Sequence, residues 1–182
     1  DLFDELFYFA LCDSTGHGVP GAFMSLLNMG YLSEAVKEKS IYEPNKIFDY
    51  VRQRLIESIS NESQKDGFDG ILVCINKTSG QIAYSAANNN PVLVSDNQML
   101  HLPTDKMPVG KGEKTAPFNL YVLNYKPNDM LYLYTDGYAD QFGGPKGKKF
   151  KYKSLIETLI KNSALLIGNK FSIFSFDFVS SS

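Results

Sequence analysis

The chain has 182 residues, with 43% hydrophobic and 21% charged side chains and a net charge of −2. These proportions suit one globular domain that buries its own core, and they argue against disorder or a disulfide framework. The charge balance supplies no field for nucleic acid or an anionic membrane, and no apolar run approaches the length of a bilayer span.

Asp1–Asp4 leads almost directly into a strand, with no basic region before the apolar stretch. No signal peptide is expected, and the segment reads as an excised piece of a longer protein. Phe7–Cys12 is a continuous aromatic-rich run that predicts a strand buried on both faces. It stops at Asp13-Ser14-Thr15-Gly16-His17-Gly18, whose glycines mark a tight turn. Pro20 suits the first position of a helix, and Phe23, Leu26, Leu27 and Tyr31 predict its buried face as far as about Lys37. A second helix is expected from Pro44, with Ile47, Val51, Leu55 and Ile59 on one stripe.

Beyond Lys65 the period shortens. Gly70–Asn76, Gln81–Ala86, Val92–Ser95 and Gln98–Leu102 predict an antiparallel meander broken by Asn- and Gly-bearing turns. Leu120–Tyr125 and Met130–Tyr134 predict a hairpin around Pro127-Asn128-Asp129, and Ser154–Lys161 a closing helix. The order implies an α+β sandwich. Cys12 and Cys74 sit in strand-like runs and read as small buried hydrophobes in a reducing, cytoplasmic setting.

Elimination narrows the chemistry. Two histidines, His17 and His101, cannot build a His-rich or Cys/His zinc site. Gly18 and Gly80 stand where a cysteine phosphatase would need arginine after Cys12 and Cys74. The Gly143–Lys149 stretch lacks the spacing and hydroxyl of a nucleotide loop. Carboxylates remain. Asp13 and Asp136 each follow an apolar strand directly, so a sheet could bring both to one rim. Mutual repulsion there calls for a hard, oxygen-loving cation such as Mg²⁺ or Mn²⁺. Two such ions about 3.5–4 Å apart could share a water and aim it at a phosphoryl group. Each aspartate also has a plainer reading as a turn residue.

Ala10–Ala22, containing Asp13-Ser14-Thr15-Gly16-His17-Gly18, resembles the first metal motif of the SpoIIE/RsbU branch of the PP2C-like (PPM) serine/threonine phosphatases. Asp66-Gly67-Phe68-Asp69 leading a strand, Tyr84–Pro91 as an alanine-rich turn, Met107-Pro108-Val109-Gly110, and Tyr132–Gln141 with Thr135-Asp136-Gly137 follow in the family's order. The resemblance implies an α/β/β/α sandwich of two mostly antiparallel sheets flanked by helices. It also implies a site holding two Mn²⁺ or Mg²⁺ ions. Asp13 would bridge them, while the backbone carbonyl of Ser14 and the carboxylate of Asp136 would hold one. Thr15, His17, Asp69 and Asp140 would stand behind these ligands. The implied reaction is hydrolysis of phosphoserine or phosphothreonine. Its substrate would be a phosphoprotein, by family analogy a small anti-anti-sigma-type protein, and the domain would follow a sensor or receiver module.

The sequence departs from the family at its end. A closing Asp-Asp strand is expected, and the Phe/Ser-rich tail has none; Asp177 is spaced too close to Asp136 for that role. The phosphatase domain is therefore expected over 1–162, without its usual C-terminal strand, followed by a divergent or truncated tail at 163–182. This departure keeps a rival reading open, a weak or inactive PPM domain that binds a partner. The lysines from Lys146 to Lys153 read as a solvated face or a phosphoprotein contact.

Overall fold

The computed structural model describes residues 5–59, 66–96 and 98–135, with the backbone alone of 142–143, 148–149 and 172–176. These fall into two compact units. In the first, β1 (Leu6–Ser14) is a strand where the sequence predicts one, extended to carry Asp13 and Ser14, but it is not buried on both faces: Leu11 alone is fully buried, and Phe7 and Ala10 are exposed. It pairs antiparallel with β2 (Gly67–Asn76), from Leu6 opposite Asn76 to Ser14 opposite Phe68. Next come β3 (Ile82–Ala87) and then β7 (Tyr121–Leu123), both antiparallel, while β6 (Val109–Gly110) joins the start of β2.

Two helices belong to this unit. α2 (Pro44–Ser58) starts on a proline, whose missing N–H is no loss at a helix start. Ile47, Val51 and Leu55 form its buried stripe, as the sequence spacing predicts, joined by Phe48, which the spacing did not name, and Ile59 is half-buried at its end. They share a core with Phe68, Leu72, Val109 and Phe118. Phe48 meets Phe68 and Phe118 edge-on at 5.7 and 5.4 Å between ring centroids, the geometry that aromatic quadrupoles favour.

α1 (Gly18–Lys37) corrects the sequence reading of its face. Pro20 is its third residue, and its buried positions are Gly21, Met24, Asn28 and Ala35. Phe23 and Leu26 are 63% and 61% exposed, while Leu27 and Tyr31 pack half-buried against the core. A helix with apolar residues on every side gives its period no direction, so spacing alone cannot choose the inner face.

The second unit contains β4 (Val92–Ser95), β5 (Gln98–His101), β8 (Met130–Tyr134) and β11 (Ser172–Phe176). β4 lies between β5 and β8, antiparallel to both, and β11 runs parallel to β8. Val92, Val94, Met130, Tyr132 and Tyr134 build its core. β9 (Phe142–Gly143) and β10 (Lys148–Lys149) make a short antiparallel ladder.

The expected meander is divided. β3 pairs with β2 and β7, and β4 pairs with β5 and β8, so the turn at Asn88–Pro91 ends one sheet and begins another. Ala87 bridges Asp105 instead of continuing toward β4, and Asn88 adopts φ 57°. The expected hairpin of Leu120–Tyr125 with Met130–Tyr134 is likewise absent: β7 joins β3, and β8 joins β4. Turn chemistry at Pro127-Asn128-Asp129 is real, with Asp129 N–H donating to Lys126 O at 3.1 Å. Such chemistry marks a reversal but not which sheet the next strand joins. The helix expected at Ser154–Lys161 lies outside the described residues, as do Asp136, Asp140 and Asp177.

Candidate metal centre

The end of β1, the start of α1, the start of β2 and the turn after β3 converge on one corner of the first unit. Antiparallel register sets Asp13 directly opposite Asp69. Paired residues on neighbouring strands share a face, with Cβ atoms about 4.5–5.5 Å apart, and like charges so placed disfavour the sheet. Both carboxylates are half-buried. Asn88 donates its Nδ2–H to Asp69 Oδ1 at 2.8 Å. Asn88 is itself fixed by its N–H bond to Asp105 O at 2.8 Å and by its left-handed backbone, which asparagine tolerates better than most residues.

The turn after Asp13 is held on two sides. Thr15 is clasped to the first residue of β2: its N–H and hydroxyl both donate to Gly67 O, at 2.9 and 3.1 Å, and Gly67 N–H donates to Thr15 Oγ1 at 3.0 Å. That hydroxyl is engaged with main chain and positions the turn. Position 67 has to be glycine here, since a Cβ would lie 2.5 Å from Val109 O. On the other side, Asn28 Nδ2 donates to Ser14 Oγ at 3.0 Å, and the Ser25 and Ser14 hydroxyls are 3.0 Å apart. Gly21 lets α1 start against the turn, because a Cβ there would meet Gly16 O at 2.8 Å. His17 is the exposed N-cap residue of α1 and caps through its main chain, without a side-chain hydrogen bond to the helix.

Around this corner the tyrosines are structural. Tyr84 stacks on Tyr121 at 5.1 Å and donates to Pro103 O at 3.1 Å. Burial, with Tyr121 and Asp105 adding, pushes its phenol well above the usual tyrosine range, so it stays a donor.

Of the residues singled out in the sequence, Asp13, Ser14, Thr15 and Asp69 therefore meet at one corner, and His17 stands at its rim. Asp136 and Asp140 lie outside the described residues. Among the described residues, no three His, Cys, Asp or Glu side chains cluster as a complete metal cage. The donor set that is present, two opposed carboxylates beside a main-chain turn, consists of oxygens and fits a hard divalent cation. Asn88, Ser25 and Asn28 were not read as site residues. An asparagine at a turn after a strand was the available signal for Asn88; no local signal distinguishes Ser25 or Asn28.

This α+β arrangement of two mostly antiparallel sheets with two helices is the fold of the PP2C-like phosphatase domains. The chain is similar to the SiaA-PP2C domain of Pseudomonas aeruginosa, at 24% identity and a TM-score of 0.71, over 87% of this chain and 66% of that one. It is similar to the RsbU and RsbW domains of Rv1364c from Mycobacterium tuberculosis, at 19% identity and a TM-score of 0.61, over 88% of this chain and 40% of that one. A third similar structure is the catalytic domain of the serine threonine protein phosphatase PstP in complex with 2 manganese ions. It shows 13% identity and a TM-score of 0.52, over 88% of this chain and 84% of that one. The chain thus spans 66% and 40% of the first two structures' own length.

The chain belongs to the Stage II sporulation protein E (SpoIIE) family, whose model matches residues 4–168. No curated protein matches it. The family and fold expected from the two aspartate motifs are those the chain has. Among the described residues, no helix is long and apolar enough to cross a membrane.

Proposed function

We propose that this chain is a metal-dependent phosphatase domain that hydrolyses phosphoserine or phosphothreonine on a protein. The observation that carries the reading is the opposition of Asp13 and Asp69 across β1 and β2, beside a turn pinned by Thr15 and Ser14. In this reading Asp13, the Ser14 main-chain carbonyl and Asp136 would hold two Mn²⁺ or Mg²⁺ ions, with Asp13 shared between them. Asp69, steadied by Asn88, stands beside Asp13 and adds negative charge that favours cations. Bound divalent ions supply the charge that acidifies water and offsets the phosphoryl oxygens. The protein's own part is to fix its carboxylates before substrate arrives, so that little reorganisation is needed in the reaction.

The two manganese ions described for PstP and the family membership support this cofactor choice. By the family resemblance of its motifs, the reading extends to bacterial signalling, with an anti-anti-sigma-type phosphoprotein as substrate, a sensor or receiver module upstream and a cytoplasmic setting; one similar structure holds RsbU and RsbW domains together.

The test is hydrolysis of p-nitrophenyl phosphate and of a phosphoserine protein, with and without Mn²⁺, for the wild type and Asp13→Ala. Turnover should require Mn²⁺ and fall at least about 100-fold in the variant, beyond the 10–100-fold typical of losing a group that merely supports a ligand. Activity indifferent to both Mn²⁺ and Asp13 would refute the mechanism. Mn²⁺ binding without turnover of any phosphoester would favour a partner-binding module, and turnover of small esters alone would point to a small-molecule hydrolase.

A further inference from the structure

Asn28 is 1% exposed on α1, whose other buried positions are Gly21, Met24 and Ala35. Its Nδ2 donates to Ser14 Oγ, but its Oδ1 is buried with no hydrogen-bond partner. Turning the amide over would only exchange which atom is orphaned. A buried polar atom left this way costs a fold stability that an apolar side chain at the same place would not. The bond to Ser14 is what the asparagine contributes in return. Ser25, three residues earlier and on the same side of the helix, extends the link. Its Oγ is 3.0 Å from Ser14 Oγ and 3.0 Å from Gly21 O. Ser14 Oγ thus accepts from two side chains of α1, Asn28 Nδ2–H and the Ser25 hydroxyl, and the same Ser25 hydroxyl is within reach of Gly21 O.

With Thr15 clasped to Gly67 on the far side, Ser14 is held between a helix and a strand. We propose that Asn28 and Ser25 are positioning residues for the metal centre. By tying the Ser14 side chain to α1 they fix the direction of its main-chain carbonyl, and so set the affinity for a divalent cation. This inference rests on the reading of Ser14 as an ion ligand.

The experiment is calorimetric titration with Mn²⁺ alone of the full chain, as wild type, Asn28→Leu, Ser14→Ala and the double variant, alongside thermal unfolding without metal. Asn28→Leu should weaken Mn²⁺ binding about 10-fold or more, the scale on which groups behind metal ligands act. Its metal-free unfolding midpoint should stay level or rise, an outcome that general structural damage would not give. Ser14→Ala keeps the main-chain carbonyl and should reproduce the loss, and the double variant should bind no more weakly than Ser14→Ala. If Asn28→Leu does not fold, Ser25→Ala and Ser14→Ala carry the same test. Unchanged Mn²⁺ affinity in the variants, or losses that simply add, would overturn the proposal while leaving the metal reading intact. A wild type that binds no Mn²⁺ would remove both.

Discussion

α1 and α2 lie in the same unit and are built for different tasks. α2 buries four large apolar side chains on one stripe, with Phe48 and Val51 both at 0% exposure, and its remaining faces are mostly polar, with Ile56 exposed. α1 buries Gly21, Met24, Asn28 and Ala35, and turns Phe23, Leu26 and Met29 to solvent. The first helix thus spends its inner face on close approach to the Asp13 turn and on a hydrogen bond to Ser14, while the second supplies the packing. Stability and site geometry are divided between the two helices, and Phe68 joins the divisions: it packs on Phe48 and stands opposite Ser14.

The largest effect should come from α2. Phe48→Ala removes a ring from the centre of an aromatic cluster and should cost about 3–5 kcal/mol in denaturant unfolding, as buried Phe truncations do. A loss under about 1 kcal/mol would mean that the cluster is not the core of the unit.

A smaller effect sits one residue on. Asp49 binds Arg52 at 2.7 Å and accepts the Phe118 N–H at 3.2 Å. Burial is the largest influence on its carboxyl and raises its pKa; the Phe118 N–H and Arg52 oppose this, and Asp105 adds to it. An acid whose pKa is raised on folding holds its proton more tightly in the native state. Its contribution to stability is therefore greatest at low pH and falls as pH rises through the ordinary carboxylate range to the raised native value. Thermal unfolding across that window should show Asp49→Asn gaining on the wild type as pH increases. A gap that stays constant or closes would contradict the burial argument.

The smallest effect belongs to the outer face of α1. Leu26→Ala should change stability by no more than about 0.5 kcal/mol in the same assay, because the side chain is largely in water. A cost of several kcal/mol would show that the face is covered.

The two helices also mark where sequence was a sufficient guide. In α2 the apolar residues gather mainly on one stripe, so period and burial coincide and Ile47, Val51 and Leu55 could be read directly. In α1 the apolar residues surround the helix, and Asn28, a residue that composition assigns to the surface, lies inside because Ser14 gives it a partner. Asp13 was legible because a strand, an acid and a glycine turn follow one another locally. Its opposition to Asp69 depends on register between strands more than fifty positions apart, which no local pattern carries. The same limit explains the division of the meander: Asn88 announced a turn, but the bond from Asp105 N–H to Ala86 O, 2.9 Å long, decides where the chain goes.

The account depends most on Asp13 as an ion ligand. Electron paramagnetic resonance of Mn²⁺ titrated into the wild type and Asp13→Asn tests this without any substrate. Two ions should bind the wild type, with the variant losing one or both while keeping its fold by circular dichroism. Equal Mn²⁺ binding by the two proteins would contradict it.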